Sequence, residues 1–442
     1  MKKEIKIISI VAGVCVFVAV FTGLVLFKQI EEIPSSNKSS DVLSQPEHIT
    51  LDEKNPIKVG VLHSLSGTMS ISETPVVDAT LMAIDEINQK GGVLGRKIVP
   101  IVVDGRSDWP TFAKEAERLI TEENVSAVFG GWTSASRKTM KPIFEKYDHL
   151  LFYPVQYEGL EQSPNIVYTG AAPNQQVLPA IDWAMKNLGT KFFLVGSDYV
   201  FPRSANTIMK ERIHELGGVV VGEEYQILGE RDFTEIIDKI IETHPDVILN
   251  TINGDSNVWF FKELREKGVM PQDIPTISFS IGENEIMQLG AANMKGDYAA
   301  WNYFQSLDTP ENKAFVMNFK KRFGEHRVTN DPMEAAYISV NLFARAVEES
   351  GSDNVNDIRK AVKGMTFAAP EGIVGIDPQT QHLEKVVRIG KILENGQFEI
   401  VASSEAAIKA VPYPSYKSVN DWNVFLDELY NNWNQSWSKP AK

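Results

Sequence analysis

Six short stretches of this 442-residue chain concentrate hydroxyls, aromatic rings, amides and carboxylates. They are Ser64-Leu65-Ser66-Gly67-Thr68, Trp132-Thr133-Ser134, Tyr153-Pro154-Val155-Gln156-Tyr157, Asp198-Tyr199, Asn253-Gly254-Asp255 and Ser280-Ile281-Gly282-Glu283. Such groups donate and accept hydrogen bonds on apolar walls, which is the chemistry of holding a small polar molecule. Nothing in them pairs a nucleophile with a base. No Gly-x-Ser-x-Gly elbow or Walker loop occurs, and the seven histidines show no His-x-His or His-Glu-x-x-His spacing. Gly91-Gly92-Val93-Leu94-Gly95 follows a helix pattern rather than opening one, so it is not a nucleotide fingerprint. An enzyme, a metal site and a resident cofactor all lack support.

Each stretch follows a short apolar run that reads as a strand. Ile57–Leu62, Ile98–Val103, Val125–Phe129 and Leu150–Tyr153 are separated by helical patterns, one of which Thr74-Pro75 would start. The rhythm restarts after Asn165, with strands at Lys191–Gly196, Val219–Tyr225, Val247–Asn250 and Thr276–Phe279. Two such runs predict two α/β lobes with parallel sheets flanked by helices. In such sheets ligands bind beyond the carboxyl ends of the strands, where these polar loops fall.

Lys and Arg number 44 against 58 Asp and Glu, a net charge of −14, which argues against a nucleic-acid surface. One cysteine excludes an internal disulfide framework and any multi-cysteine metal site. Residues Ile7 to Phe27 are uncharged, preceded by Lys2, Lys3 and Lys6 and followed by Lys28, Glu31 and Glu32. The run could span a hydrocarbon core of ~30 Å, and the flanking charge places the rest of the chain outside the cytoplasm. It is long for a signal peptide and no Ala-x-Ala follows, which favours an uncleaved transmembrane anchor over a cleaved signal. Residues 34–55, with five serines and two prolines, read as a flexible tether.

Five stretches together resemble the periplasmic-binding-protein type I family. Val59–Thr68, Gly91–Arg96 and Gly130–Lys138 carry the general likeness. Leu151–Gly159 and Val195–Arg203 resemble the branch that holds urea ABC-transporter substrate-binding proteins and short-chain amide sensors. The likeness runs from about Pro56 to Pro412. It implies two lobes joined by a three-segment hinge, with crossings near Gly170–Pro173, Trp301–Tyr303 and Ala368–Pro370. Lobe one would be residues 56–171 plus 304–368, and lobe two 172–303 plus 369–412, after an anchor or signal over 1–33. Residues 413–442 form an extension in which Trp422, Phe425, Leu426, Leu429, Tyr430 and Trp433 fall at helical spacing. The implied function is capture of urea between the lobes and delivery to the membrane permease subunits of an ABC importer. A short-chain amide or branched-chain amino acid receptor, and a membrane-tethered ligand sensor, are the alternatives.

By the same resemblance Trp132, Thr133 and Ser134 form the first ligand wall. Ser134 would offer its hydroxyl and backbone N–H to a carbonyl, whereas plain helix capping is the other use of Thr133 and Ser134. Tyr153 and Tyr157 would flank a planar ligand, or else pack the core or hinge. Tyr199 would reach the ligand, with Asp198 beside it or capping the next helix. Asp255, after Gly254, and Glu283 are candidate acceptors for amino groups, or else solvated loop carboxylates.

Overall fold

The computed structural model describes residues 52–440, with side chains from Lys54; the 7–27 run and the tether lie outside these residues. Among the described residues no helix is long and apolar enough to cross a membrane.

The strand Asp52–His63 buries Ile57, Val59, Val61 and Leu62 completely, as a central parallel strand covered on both faces must. It pairs in parallel with Arg96–Asp104 on one side and Val128–Gly130 on the other. Leu151–Tyr153 and Ile166–Tyr168 complete a five-stranded sheet. The helices Ser70–Gln89, Trp109–Thr121, Ser134–Lys146 and Asp331–Ser350 cover its two faces with separate apolar clusters. The first of these begins one turn earlier than Thr74-Pro75 suggests. Ser72 and Glu73 already donate their backbone N–H groups to Met69 O, and Pro75 lies within the helix.

The second sheet has seven strands, in the spatial order Phe398–Ser403, Arg388–Ile392, Tyr298–Trp301, Thr276–Ser278, Val247–Thr251, Lys191–Ser197 and Val219–Gln226. The last five pair in parallel, and the two late strands add antiparallel at the edge.

The third crossing differs from the expected one at Ala368–Pro370. Strands Thr366–Ala369, Gly372–Ile376 and Leu383–Glu384 form a small antiparallel sheet. Their Ala369, Val374, Ile376 and Leu383 join the apolar cluster under the first sheet. The chain therefore stays with lobe one until Glu384 and crosses just before Arg388. Asn302 ties the crossings together: its amide donates to Gln175 O at 3.1 Å and to Val386 O at 3.0 Å. Asp331 accepts the backbone N–H groups of Asn302 and Tyr303 at 3.0 and 2.9 Å.

The extension folds as a helix, Val419–Asn432, capped by the Ser418 hydroxyl. Trp422, Leu426 and Trp433 insert into the apolar cluster of lobe two, and Trp422 Nε1 donates to Pro414 O at 2.9 Å. Because Trp422 is fully buried, Trp422→Ala should lower stability by about 3–5 kcal/mol. Guanidinium unfolding measures this, and a loss below about 1 kcal/mol would show that the helix is not part of the lobe-two core.

Candidate functional site

The polar loops of the two lobes meet. The Thr68 hydroxyl donates to the Asp255 carboxylate, and Asp255 N donates back to Thr68 O at 3.2 Å. Ser72 Oγ donates to Glu285 at 2.8 Å. Gln156 Nε2 reaches Phe279 O at 2.8 Å, and Trp132 Nε1 lies 3.4 Å from Asn253 Oδ1. Gly254 permits the approach at Thr68. It adopts φ +68°, and a Cβ there would lie 2.8 Å from Thr68 O. These clasps hold the cleft shut and bury its walls.

The first wall is built on a charged cluster. Thr133 caps the helix Ser134–Lys146, its side chain accepting from Ser136 N, so the capping use of Thr133 is realised. Ser134, at the first helical position, donates its hydroxyl to Glu158 and accepts from Arg137 Nη1 at 3.1 Å. Arg137 also donates to Glu158 at 3.1 Å and to Glu161 at 2.9 Å, and Lys138 donates to Glu161 at 3.0 Å. The guanidinium lies 4.8 Å from the Tyr153 ring and 4.5 Å from the Tyr157 ring. Burial opposes the charge of Glu161, but Arg137 and Lys138 outweigh it and hold its carboxyl well below the usual range. Burial likewise opposes the charge of Arg137, and Glu161 and Glu158 more than restore it.

Tyr153 stands in this wall with its hydroxyl donating to Trp132 O. Tyr157 does not reach lobe two. Its ring packs beside the directly stacked Tyr168 and His382 rings, and its hydroxyl meets His382 Nε2 and Glu161 O, which is the packing role. Burial pushes His382 down to about 4.

On lobe two, Tyr199 is the residue that faces the cluster. Burial raises its pKa well above the ordinary value, and Tyr153, Glu158 and Glu73 add to that rise. Its hydroxyl makes no hydrogen bond among the described residues. Asp198 points elsewhere, pairing with Arg203 at 2.8 Å and Lys439 at 2.9 Å. It therefore anchors the extension, which crosses to lobe one through Trp109 Nε1 to Ser438 Oγ at 2.8 Å and Lys138 over Trp437 at 5.2 Å. Asp255 clasps Thr68 rather than standing free. Glu283 turns to the hinge, accepting Gln305 N at 2.7 Å.

Three buried atoms near the strand ends lack a partner among the described residues: Glu73 Oε1 and Gln156 Oε1, which are acceptors, and His63 Nε2, which is one when Nδ1 donates to Glu73. His63 and Glu73 were not singled out by sequence. Only the position of His63 at the end of the central strand could have marked it. Cavities also occur away from the cleft. One of about 720 Å³ lies at the opposite, amino ends of the second sheet's strands, beside Asp246, Pro275 and Tyr298. Among the described residues no cluster could hold a metal ion.

The family model for the periplasmic binding protein domain matches residues 57–419. The chain belongs to this family, whose members bind solutes rather than act as enzymes. It is 24% identical over 349 residues to Leu/Ile/Val-binding protein homolog 6 of Brucella melitensis, covering 76% of this chain and 87% of that one. A solute-binding protein of Rhodopseudomonas palustris BisB5 in complex with 3,4-dihydroxybenzoic acid superposes with a TM-score of 0.72 at 24% identity, covering 80% of this chain and 98% of that one. A branched-chain amino acid transporter substrate-binding protein of Streptococcus pneumoniae in complex with isoleucine gives 0.67 at 21% identity, covering 80% and 100%. A 124-residue stretch is 37% identical to a protein named limonene hydroxylase from Geobacillus stearothermophilus, but spans only 23% of that protein and 28% of this chain.

Burial raises Glu283 from its ordinary 4.5 to about 8. A carboxyl that holds its proton longer when folded makes the folded state lose stability as pH rises from about 4.5 to about 8. Glu283→Gln should flatten this part of the stability profile, read from melting temperatures across pH. An unchanged slope would show that Glu283 ionises freely in the folded state.

Proposed function

We propose that this receptor captures a small neutral solute of the urea or short-chain amide class and delivers it to the permease subunits of an ABC importer. The observation that carries the reading is the imbalance of unpaired groups in the cleft. On lobe one the unpartnered buried atoms Glu73 Oε1 and Gln156 Oε1 are acceptors, and His63 Nε2 is a third when Nδ1 donates to Glu73, whereas the cations of the wall are already engaged. Arg137 and Lys138 are held by Glu158 and Glu161, and Arg203 and Lys439 by Asp198. A ligand carboxylate at this wall would meet cations that are already paired and would sit near Glu73 and Glu158. A ligand rich in N–H groups would satisfy the acceptors, and the Tyr199 hydroxyl is placed to donate to its carbonyl. Leaving such atoms unpaired costs about 1–3 kcal/mol each, so a matched ligand gains by closing the cleft.

The amino-acid and aromatic-acid ligands of the relatives carry a carboxylate, and the paired state of Arg137 separates this cleft from that requirement. The 7–27 run supports attachment of the receptor to the outer face of the membrane.

Urea has four non-hydrogen atoms, so a ceiling near ~1.5 kcal/mol per atom limits its affinity to about −6 kcal/mol, or tens of micromolar. Isothermal calorimetry of residues 52–442 should show urea or acetamide binding in that range. Tyr199→Phe should weaken it by about 1–2 kcal/mol, roughly 5–30-fold. Micromolar binding of leucine with none of urea or acetamide at millimolar concentration would reject the ligand class and leave the receptor reading in place.

A further inference from the structure

We propose that His63 and Glu73 together read the amino group of the ligand, and so select solutes that end in an unsubstituted NH2. The inference rests on the urea and amide reading above and adds the residues that enforce it.

The two side chains form one hydrogen-bonded unit at the carboxyl end of the central strand. His63 Nδ1 lies 3.0 Å from Glu73 Oε2, and the backbone N–H of Ser64 donates to the same oxygen at 2.8 Å. Both side chains are completely removed from solvent. Glu73 sits in the first turn of the helix Ser70–Gln89, where the helix dipole favours a carboxylate. Two donors thus converge on Oε2, while Oε1 and His63 Nε2 have no partner among the described residues.

The segment that carries Glu73 faces the other lobe. Thr68 and Ser72, both just before it in the chain, clasp Asp255 and Glu285 of lobe two. The Glu73 carboxylate is also among the groups that act on the Tyr199 hydroxyl. The unpartnered atoms therefore lie on the side of lobe one that meets lobe two.

The chemistry of the pair follows from its internal bond. A neutral His63 that donates Nδ1–H to Glu73 keeps a lone pair on Nε2. The unit then presents two acceptors and no donor. An NH2 group offers two N–H bonds from one atom and can satisfy both. A carboxylate offers no hydrogen to either, and an N-substituted amide loses one of the two donors. A solute that donates to both atoms gains hydrogen bonds that a mismatched solute leaves unmade.

The test combines a variant with a ligand series, read by calorimetry on the full-length protein. Glu73→Gln keeps the shape but turns an amide donor or a weaker acceptor toward the ligand. It should weaken urea binding at least tenfold while leaving the ligand-free melting temperature unchanged or higher, because a buried unpaired carboxylate oxygen has been removed. A purely structural role would lower both. On the unaltered protein, N-methylurea, which keeps one NH2, should bind at least tenfold more tightly than N,N'-dimethylurea, which keeps none. Unchanged urea affinity in a folded Glu73→Gln protein, or equal binding of the two methylureas, would overturn the inference while urea binding by the unaltered protein upholds the receptor's ligand class. Absence of urea and amide binding by the unaltered protein would instead overturn that class, and this inference with it.

Discussion

Arg137 is the group on which the site depends. A guanidinium completely removed from water is tolerable only where carboxylates and rings surround it, since an unpaired buried charge costs several kcal/mol. Glu158 and Glu161 supply the carboxylates, and Tyr153 and Tyr157 the rings. Meeting that demand brings the loop after Tyr153 onto the start of the helix Ser134–Lys146. The same demand fixes Ser134, Glu158 and Tyr153 as one rigid wall. It also pairs a cation that could otherwise receive an anionic ligand, so the stability of the wall and the proposed selectivity share one origin.

The second lobe adds the complementary half. Thr68 with Asp255, and Ser72 with Glu285, hold the lobes together at polar atoms, and such contacts can exchange for water when the lobes part. The closed cleft is thus a state with few exposed polar groups and a small set of orphaned acceptors. Asn302 links the three crossings in one pair of hydrogen bonds, which couples the strands of the hinge while leaving the lobes as separate cores. The extension beyond Pro412 extends this coupling. It is rooted in lobe two through Trp422 and touches lobe one through Ser438 and Trp437 beside the cluster.

The alternation of strands and helices was legible because parallel strands buried on both faces read as continuous apolar runs, as Ile57–Leu62 does. The loops at the strand ends were legible for the same reason, and Ser134 and Tyr153 do gather around Arg137. What composition and spacing could not supply was the choice of partner. Asp198, Asp255 and Glu283 have the chemistry of ligand acceptors, yet each is claimed by a contact distant in sequence: Lys439, Thr68 and Gln305. Tyr157 is claimed in the same way by His382. The third crossing was misplaced because Thr366–Glu384 looks like any pair of short strands, and only its packing on the first core reveals its lobe. Glu73 was hidden inside a helix that seemed to begin at Thr74.

The central claim is that the cleft selects for neutral N–H donors because its cations are already paired. Acetamide and acetate have nearly the same size and shape and differ in an NH2 against a charged oxygen. Calorimetric titration of residues 52–442 with the two at neutral pH measures that difference alone. The account expects acetamide to bind and acetate to show no heat at millimolar concentration. Acetate binding as tightly as acetamide would contradict it, and would mean that Arg137 releases Glu158 to receive an anion.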